Sequence, residues 1–187
     1  MANAKSAAVS AETIENLKAA YNGERNATAR YIAFAVQADK EGFLGVGSLF
    51  RAIAHSEQIH ATNHARVLRK LGGDLDLNVQ PLEVRTTSDN LRTALRGEQD
   101  EVDQMYPQFS EQARKDGCQD AVETFDSASD AESVHALMFA AAMESLEDYS
   151  ERATYYVCMM CGWVSTGPNF VRCVLCNNPK DRFDKVE

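Results

Sequence analysis

No apolar run in the sequence approaches the ~18 residues needed to cross a bilayer, so a helical membrane span is excluded. Proline (4) and glycine (10) are scarce among the 187 residues. Disordered and collagen-like chains are rich in both. Basic residues are outnumbered, 19 Lys and Arg against 28 Asp and Glu, for a net charge of −9. The clustered cations with which proteins neutralise nucleic-acid phosphates are therefore missing. Met1 to Ser10 is rich in Ala and Ser but lacks the apolar stretch of a secretory signal, leaving the cytoplasm as the expected compartment. What is present is a globular composition, 44% hydrophobic and 25% charged, at a length that suits one ordinary domain or two small ones.

The charge is uneven. The first 155 residues carry 15 basic and 25 acidic side chains, and the last 32 carry 4 and 3. An acidic body thus precedes a nearly neutral tail. The body contains four stretches in which apolar residues step by three and four, as on one face of a helix. They run from Ile14 to Ala35, Phe50 to Leu71, Leu91 to Phe109 and Phe125 to Tyr149. Ser10 and Ser88 are the expected N-caps, and Gly42, Gly72 and Gly117 the expected ends. The first and second helices, and the third and fourth, are joined tightly. Between the pairs lies a long connection, Gly72 to Thr87. Short, long, short is the connection pattern of ferritin-like bundles.

The body also repeats itself. Gly23-Glu24 answers to Gly97-Glu98, and Glu57-x-x-His60 to Glu132-x-x-His135. The glutamates of the first pair of helices are 33 positions apart and those of the second 34, which suggests a duplicated helical hairpin.

These six side chains lie on seams that should be buried, with no Lys or Arg on the same positions. A carboxylate in a dry core costs several kcal/mol unless it is paired or metal-bound. In Glu-x-x-His the two side chains share one face of one turn. Two such pairs with two further glutamates make the carboxylate–imidazole set of di-iron and di-manganese bundles. Glu101 lies three residues after Glu98, where the first half has Ala27, so one half offers an extra carboxylate. Tyr31 falls one seam step beyond Thr28, and His64 one step beyond His60 on the same stripe.

Four of the five cysteines form Cys158-x-x-Cys161 and Cys173-x-x-Cys176, separated by eleven residues. Two such knuckles make a tetrahedral four-thiolate site for Fe or Zn. The metal must staple so short a tail, whose expected aromatic core is Tyr155, Tyr156, Trp163, Phe170 and Phe183.

Beyond about the first ten residues, the chain resembles the rubrerythrin family. The matching stretches are Tyr21-Asn22-Gly23-Glu24 through Tyr31, Phe50 through Glu57 and His60, Gly97-Glu98 through Glu101 and Met105-Tyr106-Pro107, and Glu132 through His135. The tail matches at Cys158 to Gly162 and Cys173 to Lys180. The resemblance implies a mainly α fold, with a ferritin-like four-helix bundle over residues 1–152 and a small rubredoxin-like, metal-stapled β/loop domain over 153–187. It implies a di-iron centre with Glu57 and Glu132 bridging, Glu24 on one iron, and Glu98 with His135 on the other. The Glu24 iron would exchange Glu101 for His60 with redox state, which makes Glu101, His60 and Tyr31 the implied catalytic groups. A further iron would sit at Cys158, Cys161, Cys173 and Cys176. Val174 departs from the proline often found after the third cysteine. The implied activity is reduction of hydrogen peroxide, with electrons relayed from an NAD(P)H-dependent reductase or a rubredoxin-type donor. The implied assembly is a head-to-tail homodimer. Along the fourth helix, Glu132 and His135 lie some 20–25 Å from Tyr149 at ~1.5 Å per residue, which favours electron delivery between subunits. A ferroxidase, or a zinc-ribbon scaffold without activity, are the alternative readings of the same residues.

Overall fold

The computed structural model describes residues 9–187, so all but the last two residues of the Ala- and Ser-rich start lie outside the described residues. Helix α1 spans Ala11–Glu41 and α2 spans Leu44–Lys70. The third long helix is interrupted: α3 (Thr87–Asp100) passes through a π-helical stretch, Glu101–Met105, into α4 (Tyr106–Lys115). Helix α5 spans Gln119–Glu144. Ser10 caps α1, its hydroxyl accepting from Thr13 N. Gly42, Gly72 and Gly117 all adopt positive φ after a helix end, where a Cβ would be strained.

Two expectations about helix ends are corrected. Thr86, not Ser88, caps α3: its Oγ1 accepts from Asp89 N at 3.2 Å. The earlier start is held by Glu41 at the end of α1, whose Oε2 accepts from Thr87 N at 2.9 Å. The fourth long helix stops at Glu144 rather than Tyr149. Ser145 is non-helical, and a single 3₁₀ turn, Leu146–Tyr149, carries the chain across α2. The crossing passes over Gly45, where a Cβ would stand 2.7 Å from Glu151 O and 2.9 Å from Tyr149 O.

The long crossover runs along α1 and is held by two amides. Asn22 Nδ2 donates to Asp76 O, and Asn22 Oδ1 accepts from Asn78 N. One turn later, Asn26 Nδ2 donates to Asn78 O, and its Oδ1 accepts from Gln80 N.

In the tail, β1 (Tyr155–Cys158) lies between β2 (Val164–Ser165) and β3 (Phe183–Val186), antiparallel to both. Tyr156, Trp163, Phe170 and Phe183 pack mostly edge to face, as a small aromatic core. Tyr155 does not join them. With Val157 and Val164 it belongs to the buried cluster of Phe34, Phe50 and Ile53 in the bundle. The sheet therefore rests on the bundle through a shared core.

Candidate metal centres

The bundle core holds two overlapping sets of ligand atoms. Glu24, Glu57, His60 and Glu132 form one, and Glu57, Glu98, Glu132 and His135 the other. Within each set the ligand atoms lie within 4.8 Å of one another. All six residues are at least 98% buried. Glu57 and Glu132 belong to both sets because each carboxylate spans them. Glu57 places Oε2 3.0 Å from His60 Nδ1 and Oε1 3.3 Å from His135 Nδ1. Glu132 places Oε1 2.7 Å from His60 Nδ1 and Oε2 2.6 Å from His135 Nδ1. That is the disposition of two bridging carboxylates.

The outer glutamates are held by tyrosines of the opposite half. Tyr31 in α1 donates to Glu98 Oε1, and Tyr106 in α4 donates to Glu24 Oε1. Among the described residues, the second oxygens, Glu24 Oε2 and Glu98 Oε2, have no hydrogen-bond partner. Nor do Glu57 Oε1, both oxygens of Glu132, or both ring nitrogens of His135. Buried polar atoms are rarely left unpaired. Here they cluster on five of the six residues and face a common centre, as atoms waiting for cations do. His60 carries a further sign. Its Nε2 lies 3.1 Å from the Cys161 carbonyl, which only accepts, so Nε2 carries the proton. Nδ1 is left to offer its lone pair to a cation, the tautomer a metal ligand requires, and holds a proton toward the carboxylates when no cation is bound.

Without a cation, protons take its place. Burial, and then the charge of Glu57 and Glu132, push Glu98 up to about 8. Glu24 and Glu101 are raised by burial and by neighbouring carboxylates. Burial disfavours the charged form of both histidines, but the carboxylates outweigh it. They lift His60 to about 10 and His135 well above its ordinary value. The same imidazoles overcome the burial of Glu132 and hold it low.

Glu101 joins neither ligand set. It is half-buried at the start of the π-helical stretch and lines a surface cavity of about 640 Å³ with Gly23, Asn26 and Arg30. The stretch explains the unequal repeat. Glu24 to Tyr31 is seven positions and Glu98 to Tyr106 eight, while Tyr31 to Gly42 and Tyr106 to Gly117 are both eleven. The additional residue of the second half thus falls between Glu98 and Tyr106, where Tyr106 N bonds to Glu101 O in a π turn. Tyr106 is the functional residue that reasoning from spacing misses. The tyrosine pairing was visible only after allowing one inserted position.

In the tail, Cys158 and Cys176 Sγ are 3.6 Å apart, and Cys161 and Cys173 Sγ 3.5 Å. A tetrahedron with ~2.3 Å metal–sulfur bonds has edges of about 3.8 Å. The knuckles match: Gly162 and Asn177 each follow the second cysteine with positive φ. Each donates its N–H to the carbonyl of the first, at 2.9 and 3.0 Å. Interaction with the Cys161 thiol holds Cys158 down at about 5, whereas burial pushes Cys173 up to about 11.

The first knuckle is docked on α2. Ser56 Oγ donates to Gly162 O at 2.6 Å, beside the His60–Cys161 bond, and Asn63 Nδ2 donates to Met160 O at 2.9 Å. This overturns the distance argument for electron delivery between subunits. The rise along the fourth helix does not measure the separation, because the chain folds back over α2 and returns its cysteines to the level of the centre.

Two bridged cation sites in a four-helix bundle, with a tetrathiolate site seated on one of their imidazoles, define a ferritin-like di-iron protein with a built-in rubredoxin-like iron. The rubrerythrin family profile matches residues 15–143. Rubrerythrin-2 of Clostridium acetobutylicum is 36% identical over 176 residues, covering 92% of this chain and 96% of its own. Nigerythrin of Nitratidesulfovibrio vulgaris is 37% identical over 172 residues, covering 91% and 85%. The structure of fully reduced, all-ferrous nigerythrin superposes with a TM-score of 0.86 at 34% identity, covering 98% of this chain and 91% of that one. The chain belongs to the rubrerythrin family, the di-iron proteins of oxidative-stress defence. Its cofactors are a di-iron centre in the bundle and one iron at the four cysteines.

Proposed function

We propose that the protein reduces hydrogen peroxide to water, H₂O₂ + 2 e⁻ + 2 H⁺ → 2 H₂O. The observation that carries this reading is the single hydrogen bond between the Cys161 carbonyl and His60. A storage protein has no need of an electron inlet at a ligand of its oxidising centre. The di-iron centre, when bound, supplies the two electrons. Glu57 and Glu132 hold the two sites at a fixed separation, and Tyr31 and Tyr106 fix the outer carboxylates. Glu101, His60 and Tyr31 remain the proposed catalytic groups. Glu101 stands at the cavity where a small polar oxidant reaches the centre, and Arg30 on the same wall offsets its charge.

Electrons enter at the tail from an NAD(P)H-dependent reductase or a rubredoxin-type donor. Half-exposed Met159, Met160 and Leu175, with more exposed Val174, surround the knuckles and offer such a donor an apolar landing. The proposed assembly is a homodimer in the cytoplasm. The test is anaerobic: protein reduced by three electrons is mixed with hydrogen peroxide or with dioxygen. One peroxide per bundle centre should be consumed at least tenfold faster than dioxygen. Faster reaction with dioxygen would favour a ferroxidase.

A further inference from the structure

The two halves of the bundle treat their outer glutamates differently. Tyr31 packs its ring against Phe139 at 5.4 Å between centroids. The duplicated position opposite Tyr106 is His64, seven residues after Glu57 as Phe139 is seven after Glu132. His64 is fully buried and serves neither ligand set. Its Nε2 lies 3.1 Å from the Tyr106 hydroxyl, and its Nδ1 3.0 Å from Thr124 Oγ1. Thr124 occupies the place that Leu49 takes in the first half, each seven residues after a hairpin glycine.

Donor and acceptor rules give this chain one direction. Glu24, as a carboxylate, only accepts, so Tyr106 must donate to it. The Tyr106 oxygen then accepts, and His64 Nε2 must carry the proton. The remaining nitrogen, Nδ1, is an acceptor and takes the Thr124 hydroxyl proton. His64 comes no closer than 3.9 Å to Glu24 itself, beyond hydrogen-bond distance, so it reaches that carboxylate through the Tyr106 hydroxyl.

We infer that His64 is a positioning residue for one metal alone: held in a single tautomer by Thr124, it fixes the Tyr106 hydroxyl on Glu24 and so aims the free oxygen of Glu24 at its cation. The Glu98 side has no equivalent, because Phe139 gives Tyr31 packing but no proton. Partners of this kind typically change metal affinity 10- to 100-fold. The inference concerns metal holding and stands whether or not peroxide is the oxidant.

The test titrates the full-length, metal-free chain with Co(II) under argon. Thiolate-to-cobalt bands report the tail, and hyperfine-shifted ring protons of His135 mark the Glu98 ion. His64→Leu, a substitution toward the apolar character of Phe139, should weaken the Glu24 ion at least tenfold. The Glu98 and tail ions should stay within twofold. His64→Gln, which offers one donor and one acceptor, should restore most of the loss. Tyr106→Phe should lose as much as His64→Leu, and the double variant no more than Tyr106→Phe alone. Thr124→Val keeps the ring and should show a smaller loss at the same ion. Equal weakening of both bundle ions, no weakening, failure of Gln to rescue, or additive losses in the double variant would each overturn the inference.

Discussion

His60 donates from Nε2 to the carbonyl oxygen of Cys161 at 3.1 Å, so one hydrogen bond separates the four-cysteine site from a candidate ligand of the bundle centre. The contact survives because residue 162 has no side chain. A Cβ there would collide with His60 Nε2 and with Ser56 Oγ, and Gly162 also holds a positive φ.

Gly162→Ala should therefore undock the first knuckle while leaving both ligand sets intact. Iron content should remain at three per chain. Reoxidation of the tail iron by the bundle, followed by stopped-flow absorption after peroxide addition, should slow at least tenfold. Unchanged transfer in a variant shown to be folded would mean that electrons take another route.

Metal removal should reverse the usual gain of stability with pH. Glu98 rises from 4.5 to about 8 in the metal-free fold, so between those values the folded chain keeps a proton that the unfolded chain releases. His60, raised from 6.5 to about 10, acts in the same sense: its contribution is full below 6.5 and fades as pH climbs through 10. Stability falls wherever the folded state binds more protons. The melting temperature of the chelated protein should thus decline from pH 5 to pH 9. Metal uptake expels these protons, so loading at pH 7 should acidify a weakly buffered solution. A melting temperature that climbs over this range would contradict the proton-filled centre.

Replacing Cys158 and Cys161 with Ser should lower iron from three per chain to two. The red colour of ferric thiolate should vanish and the bundle iron remain. Metal analysis beside circular dichroism decides it, since loss of all iron from a folded bundle would make the two sites interdependent.

Glu101→Ala should keep both bundle metals, because Glu101 belongs to neither set of four. Peroxide turnover with a chemical reductant should nevertheless drop by tenfold or more. Wild-type turnover would reduce Glu101 to a residue of the cavity wall.

The two candidate ligand sets were legible because burial penalises lone carboxylates: six polar residues on apolar seams, repeated at 33 and 34 positions, leave few explanations. The cysteine knuckles were legible because sulfur ligands need local spacing. The π turn was not, since a single inserted residue leaves the apolar stepping from Leu91 to Phe109 nearly undisturbed; only the difference between 33 and 34 betrays it. The seat of the tail was invisible too. It depends on Ser56 and Gly162 meeting across 106 positions, and on Gly45 leaving room for the linker. Ser88 failed as a cap because Glu41, remote in sequence, set the helix start two residues earlier.

The crossover along α1 carries a ruler. Asn22 and Asn26 stand four residues apart, about 6.0 Å along a helix. They bind Asn78 N and Gln80 N, two residues apart, about 6.6 Å of extended chain. The near match of these two lengths lets both amides engage at once and sets how much chain is spent before the second hairpin begins. An additional residue between Asp76 and Gln80 would put the two scales out of step and release one amide. The same insertion between Pro81 and Arg85 would only lengthen slack. Variation in the length of this connection should accordingly be tolerated after residue 80 and resisted before it.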